Sequence, residues 1–325
     1  MSNKEHRFIS ALLLDGSGAA RTLTDSEVDD WSGSDGLLWL DIDQNNKHGR
    51  HWLAESHTLS QSARAILLAG ETRPRSLVES DGLIVVLRGI NMNPGAIPDD
   101  MVAARIYMQQ NRIITSHRRK ILSISDVRDM LRDGNGPKSA GGFLVTLTGC
   151  LALRIESAIE NIEQMIDDLD ARLAGGDTES IRVTLSIVRR QAAAIRRHLA
   201  PQRDALDRIA RLPAGILSNT EIAEIRDAGD HIARNIEDLD LARENALVTQ
   251  EELMNRVALE QNARMYLLSI VAAIFLPLTF VSGVLGMNVA GLPGIENPNG
   301  FLYSALLMLA LGVGLVAYFR WRKWL

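Results

Sequence analysis

Gly286-Met287-Asn288 is the stretch whose residue types can do ion chemistry. Asn288 offers a neutral carboxamide oxygen, and a chain turning out of a helix at Gly286 bares backbone carbonyls, so several copies would form a ring of dipolar oxygens suited to a hydrated cation. The tripeptide holds no thiolate, imidazole or carboxylate. Stripping Zn²⁺ of its water normally takes nitrogen or sulfur ligands at close range, so the expected recognition is of an ion that keeps its water. Upstream, Asn262, Met265, Ser269, Ala272, Leu276, Thr279 and Gly283 follow a three-four spacing and bring small and polar residues to one line. A lipid-facing line would be large and aliphatic, whereas small and polar residues inside a membrane face partners or water. The line is a candidate pore wall, with Met265 and Leu276 as apolar constrictions; its other reading is that Ser269, Ala272 and Gly283 let two helices approach closely.

The elements that must position these residues are two apolar runs. Met265 to Leu285 is broken only by Ser269, Thr279 and Ser282, and at helical rise it reaches roughly 30 Å, one hydrocarbon core. Phe301 to Phe319 carries no formal charge and is a second crossing. Val289 to Gly300 between them is rich in Gly, Pro and Asn, which predicts a short connecting loop. Arg256 and Arg264 precede the first span and Arg320, Arg322 and Lys323 follow the second, while the loop has no Lys or Arg. That bias places both termini in the cytoplasm. Tyr266, Tyr303, Tyr318, Trp321 and Trp324 fall at interfacial anchor positions. One hairpin cannot enclose a pore, so a conducting path requires several copies about an axis.

Across 325 residues, 23% charged with a formal net charge of -5, the composition is that of a large soluble portion carrying a small membrane portion. The mild acidity argues against nucleic acid as a partner. Met1 to Phe8 lacks the apolar core of a secretory signal, so the body is expected to stay in the cytoplasm. The lone Cys150 cannot form an intrachain disulfide and reads as a core thiol. No nucleophile-base pair, phosphate-binding glycine loop or Cys/His zinc cluster stands at the expected spacing, which argues against an enzyme.

Residues 1–136 read as an α/β domain. Strand-like runs at Phe8 to Leu14, Leu37 to Ile42, Leu83 to Ile90, Val102 to Met108 and Arg112 to Thr115 mix with helical patches at Arg50 to Glu55, Ser60 to Leu68 and Ser125 to Leu131. Asp133-Gly134-Asn135-Gly136-Pro137 breaks the pattern. Residues 137–263 then read as a helical stalk: Phe143 to Leu173, closed by Gly175-Gly176; a second helix from Thr178, capped by Asp177 or Thr178, to about Arg211, where Pro213 and Gly215 end it and Pro201 bends it; and a third, capped by Ser218-Asn219-Thr220, that meets no proline before Pro277. Running to Leu285, that third helix is on the order of 100 Å long. Positions 222, 225, 229, 232, 236, 239, 243, 246, 250, 253 and 257 form a three-four seam along it, which suits a loose bundle of several copies and is expected to run on into the pore line. The transmembrane hairpin takes 264–325, with spans at about 265–285 and 301–319 and the signature loop at 286–300.

Metal sites in the soluble body carry weaker signals. His48 and His51 lie one turn apart if Asn46 to Glu55 is helical, with His57 near, a possible zinc set for which surface histidines are the better reading. Asp41, Asp43 and Asn45 open like a calcium loop, but Asn46 and Trp52 occupy the positions that need Gly and Glu, so the motif fails. Glu156, Glu160, Glu163, Asp167, Asp168 and Asp170 form an acidic face that in an oligomer would concentrate cations.

Gly286-Met287-Asn288 after the first of two C-terminal spans resembles the signature of the CorA superfamily of divalent metal transporters, as do Ile274-Phe275-Leu276-Pro277-Leu278-Thr279-Phe280 and the ending Lys323-Trp324-Leu325. Gly70-Glu71-Thr72-Arg73-Pro74-Arg75, Ala200-Pro201-Gln202-Arg203-Asp204 and Gly291-Leu292-Pro293-Gly294 resemble the zinc-transporting ZntB branch. The resemblance runs from end to end. It implies a membrane protein of the α+β class, a funnel-shaped homopentamer in a bacterial-type inner membrane, with Zn²⁺ carried through an axial pore lined by the first span and no cofactor. Magnesium-transporting members often carry an acidic residue just after the loop proline, where this chain has Gly294, so the resemblance leans toward zinc. The rival readings are a magnesium or cobalt channel of the same superfamily and a membrane-anchored metal sensor that does not conduct.

Overall fold

The computed structural model describes residues 7–79, 82–97, 100–173, 178–212, 215–287 and 297–323, without the side chains of residues 170 and 171. Gly175-Gly176, Asp177, Pro213, Asn288, the loop segment 291–294 and Trp324 therefore lie outside the described residues. The chain divides into two compact units, Met1–Gln250 and Glu251–Leu325.

The first unit opens with β1 (Ser10–Leu14), β2 (Ala20–Thr22), α1 (Asp25–Asp30), β3 (Leu37–Asp43), α2 (Lys47–Glu55), α3 (Gln61–Leu68), β4 (Arg75–Val78), β5 (Leu83–Gly89), β6 (Val102–Met108), β7 (Arg112–His117) and α4 (Leu122–Arg132). Seven strands form one sheet in the order β2-β1-β3-β7-β6-β5-β4, with β3 and β7 parallel and the other pairs antiparallel. The apolar alternation of the strands explains the layers. Leu38, Leu40, Ile42, Ile84, Val86, Tyr107 and Ile114 turn to one face and bury with Leu53, Ala63 and Leu67 of α2 and α3. Trp39 takes the other face, where its ring meets Phe143 at 4.8 Å.

Sequence reading missed three short elements. β2 and β4 are edge strands of three and four residues, too short to show alternation. α1 did carry a signal, since Thr24 and Glu27 form a reciprocal capping box.

Asp41 carries a carboxylate into a site with no exposure at all. Its Oδ1 accepts from Thr115 Oγ1 at 2.7 Å and from His117 Nε2 at 3.2 Å, and its Oδ2 accepts from Arg128 at 2.6 Å. Trp39 Nε1 donates to Thr115 Oγ1 at 3.0 Å, so the network ties β3, β7 and α4 together. Burial works against both charges. The carboxylate nonetheless raises His117 above the usual imidazole value, and His117 and Arg128 hold Asp41 below the usual carboxylate value.

The motif at 70–75 also finds its reason here. Arg105 donates to the Gly70 carbonyl at 2.7 Å and Arg88 to the Thr72 carbonyl at 2.7 Å, so two arginines from the sheet face hold this loop by its backbone. Gln202 Oε1 accepts from the Arg88 amide at 2.6 Å, which joins the motif at 200–204 to the same place.

Three long helices complete the unit: α5 (Ala140–Leu173), α6 (Thr178–Ile209) and the first part of α7 (Asn219–Leu285). α6 continues through Pro201 and stops at Ile209, two residues short of the expected end. Ile155, Ile159, Ile162 and Ile166 of α5, Leu185, Val188, Ile195 and Leu199 of α6, and Ile225, Ile232, Leu239 and Ala246 of α7 are all buried. The seam expected to face other copies is thus consumed, over this stretch, inside its own chain. An apolar stripe at three-four spacing reports that a face is buried and does not say against which chain.

Glu221 joins the beginnings of two of these helices. Its carboxylate accepts from the Ser218 amide at 2.7 Å and from Ser139 Oγ, while Ser218 Oγ accepts from the Glu221 amide at 3.3 Å. A Cβ on Gly141 would meet this carboxylate, which would have to shift and give up its present position against the helix start. Partial burial pushes the Glu221 carboxyl up, but the hydrogen bonds from Ser139 and Ser218 outweigh it and leave the group below its ordinary value.

Two outcomes follow for thermal unfolding of the detergent-solubilised chain. A raised His117 favours folding fully below the unfolded value of 6.5 and loses that contribution as pH rises through the raised folded value. Melting temperature should accordingly fall over that window. Asp41→Asn should abolish the slope and cost about 3 kcal/mol, the low end for a broken buried pair because the Arg128 side chain is 30% exposed. Glu221 has the opposite sign: its contribution is present above 4.5 and lost as pH falls through the depressed folded value. Glu221→Ala should cost about 1–2 kcal/mol at pH 7, with the loss shrinking in acid.

Candidate ion pathway

Three helices are long and apolar enough to cross a membrane among the described residues: α5, α7 and α8 (Gly300–Trp321). In α5 the apolar window is 56% buried inside the first unit, which identifies it as a core helix, whereas the windows of α7 and α8 have no buried part. Exposed apolar surface of that length is what a hydrocarbon environment would cover.

Within the second unit, α7 and α8 meet along complementary stripes. Ile270, Ile274, Pro277, Leu278, Val281 and Val284 are the partly buried residues of α7 here, and Ser304, Met308, Leu311, Gly312 and Leu315 are those of α8. A Cβ on Gly312 would lie 3.8 Å from Leu278 Cδ1, an ordinary packing distance that sets the two residues side by side. The α8 stripe keeps three-four spacing and was legible in the sequence.

Asn262, Met265, Ser269, Ala272, Leu276, Thr279 and Gly283 are all exposed, with Met265 at 68% and Leu276 at 75%. At about 100° per residue their line lies roughly 145° from the α8-facing stripe. The second unit therefore leaves bare the side of α7 opposite its one packed helix. Ser269 Oγ donates to the Met265 carbonyl at 2.8 Å and Ser282 Oγ to the Thr279 carbonyl at 3.0 Å, so both hydroxyls are satisfied within the helix. Pro277 has no N–H to give the Ala273 carbonyl. The line does not continue the upstream seam. It steps five residues from 257 to 262, a turn of about 140° where a step of three or four would keep the stripe.

α7 stops at Leu285, and the chain turns where the sequence predicted. The Gly286 amide donates to the Ser282 carbonyl at 2.9 Å and the Met287 amide to the Val284 carbonyl at 3.3 Å. These bonds close the helix at the first two signature residues, and Met287 is 48% exposed.

The histidines of the first unit do not form a three-ligand set among the described residues. His48, His51 and His57 are exposed; His51 Nε2 lies 3.1 Å from Glu55, its neighbour one turn on. Asn46 caps α2 through the His48 and Gly49 amides. Among the described residues no group of three or more His, Cys, Asp or Glu is arranged to hold a metal ion.

Comparison with known proteins follows the same outline. The sequence profile of the family described as "CorA-like Mg2+ transporter protein" matches residues 34–322. The chain is 36% identical over 286 residues to the divalent cation transporter CmaX of Pseudomonas aeruginosa, covering 87% of this chain and 85% of that one. It is 31% identical over 317 residues to the zinc transport protein ZntB of Pectobacterium atrosepticum, covering 98% and 96%. The structure of full-length CmaX superposes with a TM-score of 0.84 at 32% identity, over 99% of this chain and all of that one. With a profile match across most of its length and relatives above 30% identity, this chain belongs to the CorA-like family.

Proposed function

We propose that this protein carries divalent metal ions, zinc foremost, across the cytoplasmic membrane through an axial pore in a homopentamer. The observation that supports this reading most is the bare line from Asn262 to Gly283, opposite α8, the helix packed on α7 among the described residues of its unit. Copies related by an axis would bring these lines together. Ser269 and Thr279 would then give hydroxyl rings, and Met265 and Leu276 apolar constrictions where wetting controls passage. Gly286, Met287 and Asn288 stand at the outer mouth, where carboxamide and carbonyl dipoles hold the ion with its water. α7 and α8 cross the bilayer, both termini are cytoplasmic, and lipid covers the exposed apolar side chains of α8.

Zinc rests on the ZntB likeness over nearly the whole chain. A second reading, a magnesium or cobalt channel, draws support from the family's description and from a relative described only as a divalent cation transporter. In both readings the protein is a transporter and not an enzyme.

Single cysteines test the wall. With Cys150 replaced, cysteines at Thr279 and Gly283 should react with water-soluble thiol reagents, while cysteines at Ile274 and Val281, which face α8, should stay protected. Equal labelling at all four sites rejects the pore wall.

Flux tests the cargo. Proteoliposomes with a trapped reporter should admit Zn²⁺ ahead of Mg²⁺ and Co²⁺, and imposing a pH gradient shows whether protons move with the metal. Asn288→Ala should reduce flux at least tenfold while native mass spectrometry still finds five protomers, because it deletes a dipolar oxygen from every copy at once. Preference for Mg²⁺ would move the protein to the second reading, and full activity in Asn288→Ala would remove the signature's role.

A further inference from the structure

The end of α8 gathers cations that the described residues leave unpaired. Arg320, Arg322 and Lys323 fall close together, and from Gln261 to Leu325 the one Asp or Glu is Glu296, in the loop between the two spans. Arg256 and Arg264 upstream are met by Glu252 at 2.9 Å and Glu260 at 3.7 Å. Among the described residues none of the three side chains at the end of α8 has an ion-pair or hydrogen-bond partner, and all three are exposed. A cationic end orients the hairpin in a bilayer whatever lies beside it, so a binding site needs a shape as well. Arg320 supplies one. It heads a stripe with Val316, Val313, Leu309, Leu306 and Leu302, spaced by three or four residues, and every member is exposed. At about 100° per residue the stripe lies roughly 135° from the α7-facing residues Ser304, Met308, Leu311, Gly312 and Leu315. From Arg320 to Leu309 the helix rises about 16 Å, half of a hydrocarbon core of roughly 30 Å. Trp321, next in the chain after Arg320, is exposed, with its ring 6.4 Å from that of Tyr318.

We propose that the end of α8 binds the headgroup of an anionic phospholipid whose acyl chains lie along this stripe. The inference rests on α8 spanning the bilayer, as proposed above. A free phosphate would use the charge and leave the stripe bare. A neutral lipid would cover the stripe and leave the charge unanswered. An anionic phospholipid does both, since its phosphodiester and its chains are joined at the spacing of one leaflet. Guanidinium is the side chain best matched to that phosphodiester, because its planar fork donates two parallel hydrogen bonds to a pair of oxygens. Its long stem lets a residue at the edge of the apolar level keep its charge among the headgroups. An indole at such a position sits at the same level, with its N–H as a further donor.

The test places the full-length protein in nanodiscs of equal phosphatidylglycerol and phosphatidylcholine and releases it for native mass spectrometry. Phosphatidylglycerol should stay bound in excess of phosphatidylcholine, and added salt should reduce the excess. Arg320→Gln should lower the retained phosphatidylglycerol about fivefold, the worth of one cation near an anionic surface. Arg320→Lys, which keeps the charge, should retain most of it, and Arg226→Gln, exposed in the first unit, should match the native chain. Glycerol phosphate in excess should not displace the lipid, since it has no acyl chains. Equal retention of the two lipids, undiminished retention in Arg320→Gln, or displacement by glycerol phosphate overturns the proposal. The membrane reading is checked apart from it. With Cys150 replaced, Lys323→Cys should resist an impermeant thiol reagent in intact cells and react after lysis. Reaction in intact cells overturns the cytoplasmic placement of this end, while lipid retention still decides the headgroup site.

Discussion

In the proposed bilayer setting the backbone of α7 has to satisfy its own hydrogen bonds through its last twenty residues, because hydrocarbon offers no other partner. That requirement excludes irregular chain from Met265 to Leu285 and confines the chemistry of the pathway to side chains and to the helix end. Ser269 and Ser282 obey it by returning their hydroxyls to carbonyls of the same helix. Pro277 is the one place where a carbonyl, that of Ala273, loses its usual donor. The proposed ion contacts at the signature fit this requirement, since backbone dipoles are released only where the helix ends, at Gly286.

In the first unit the charges are placed by a different rule. Asp41 and Glu221 are carboxylates whose partners come from separate elements, so each holds pieces of the fold together at a point. Asp41 is paid for in desolvation and returns it through Thr115, His117 and Arg128, while Glu221 is satisfied by backbone and hydroxyl donors at two helix starts. The arginines on the sheet face act on carbonyls instead. Arg88 and Arg105 hold the chain at Thr72 and Gly70, where the turn after α3 leaves oxygens without helical partners.

Much of this architecture was readable in the sequence, and the misses have physical causes. Long apolar runs and three-four stripes located α5 to α8, and strand alternation located β1, β3, β5, β6 and β7. Edge strands such as β2 and β4 escape because three or four residues carry no period. The seam at 222–257 was found but given the wrong partner, since amphipathicity records burial and is silent on what does the burying. Its five-residue step at 257–262 was countable in advance. For the pathway, Gly286 and the bare line were legible by residue type and spacing, whereas the α8 stripe at Ser304, Met308 and Gly312 went unread although its spacing was present. The three histidines drew attention by type and one-turn spacing, but side chains on one short helix and its following loop need a convergence that spacing does not supply.

The Glu221 clamp also bears on how the molecule is made. Ser139 and Gly141 at the head of α5 leave the ribosome some eighty residues before the carboxylate that completes them, so the first unit stays open at that corner during most of its synthesis. Its closing element, α7, is the same helix whose far end enters the membrane on the proposed topology. On the proposed topology, folding of the first unit and delivery of the first span to the bilayer are consecutive events on one helix, and the first cannot finish before Ala246, buried in its core, has emerged.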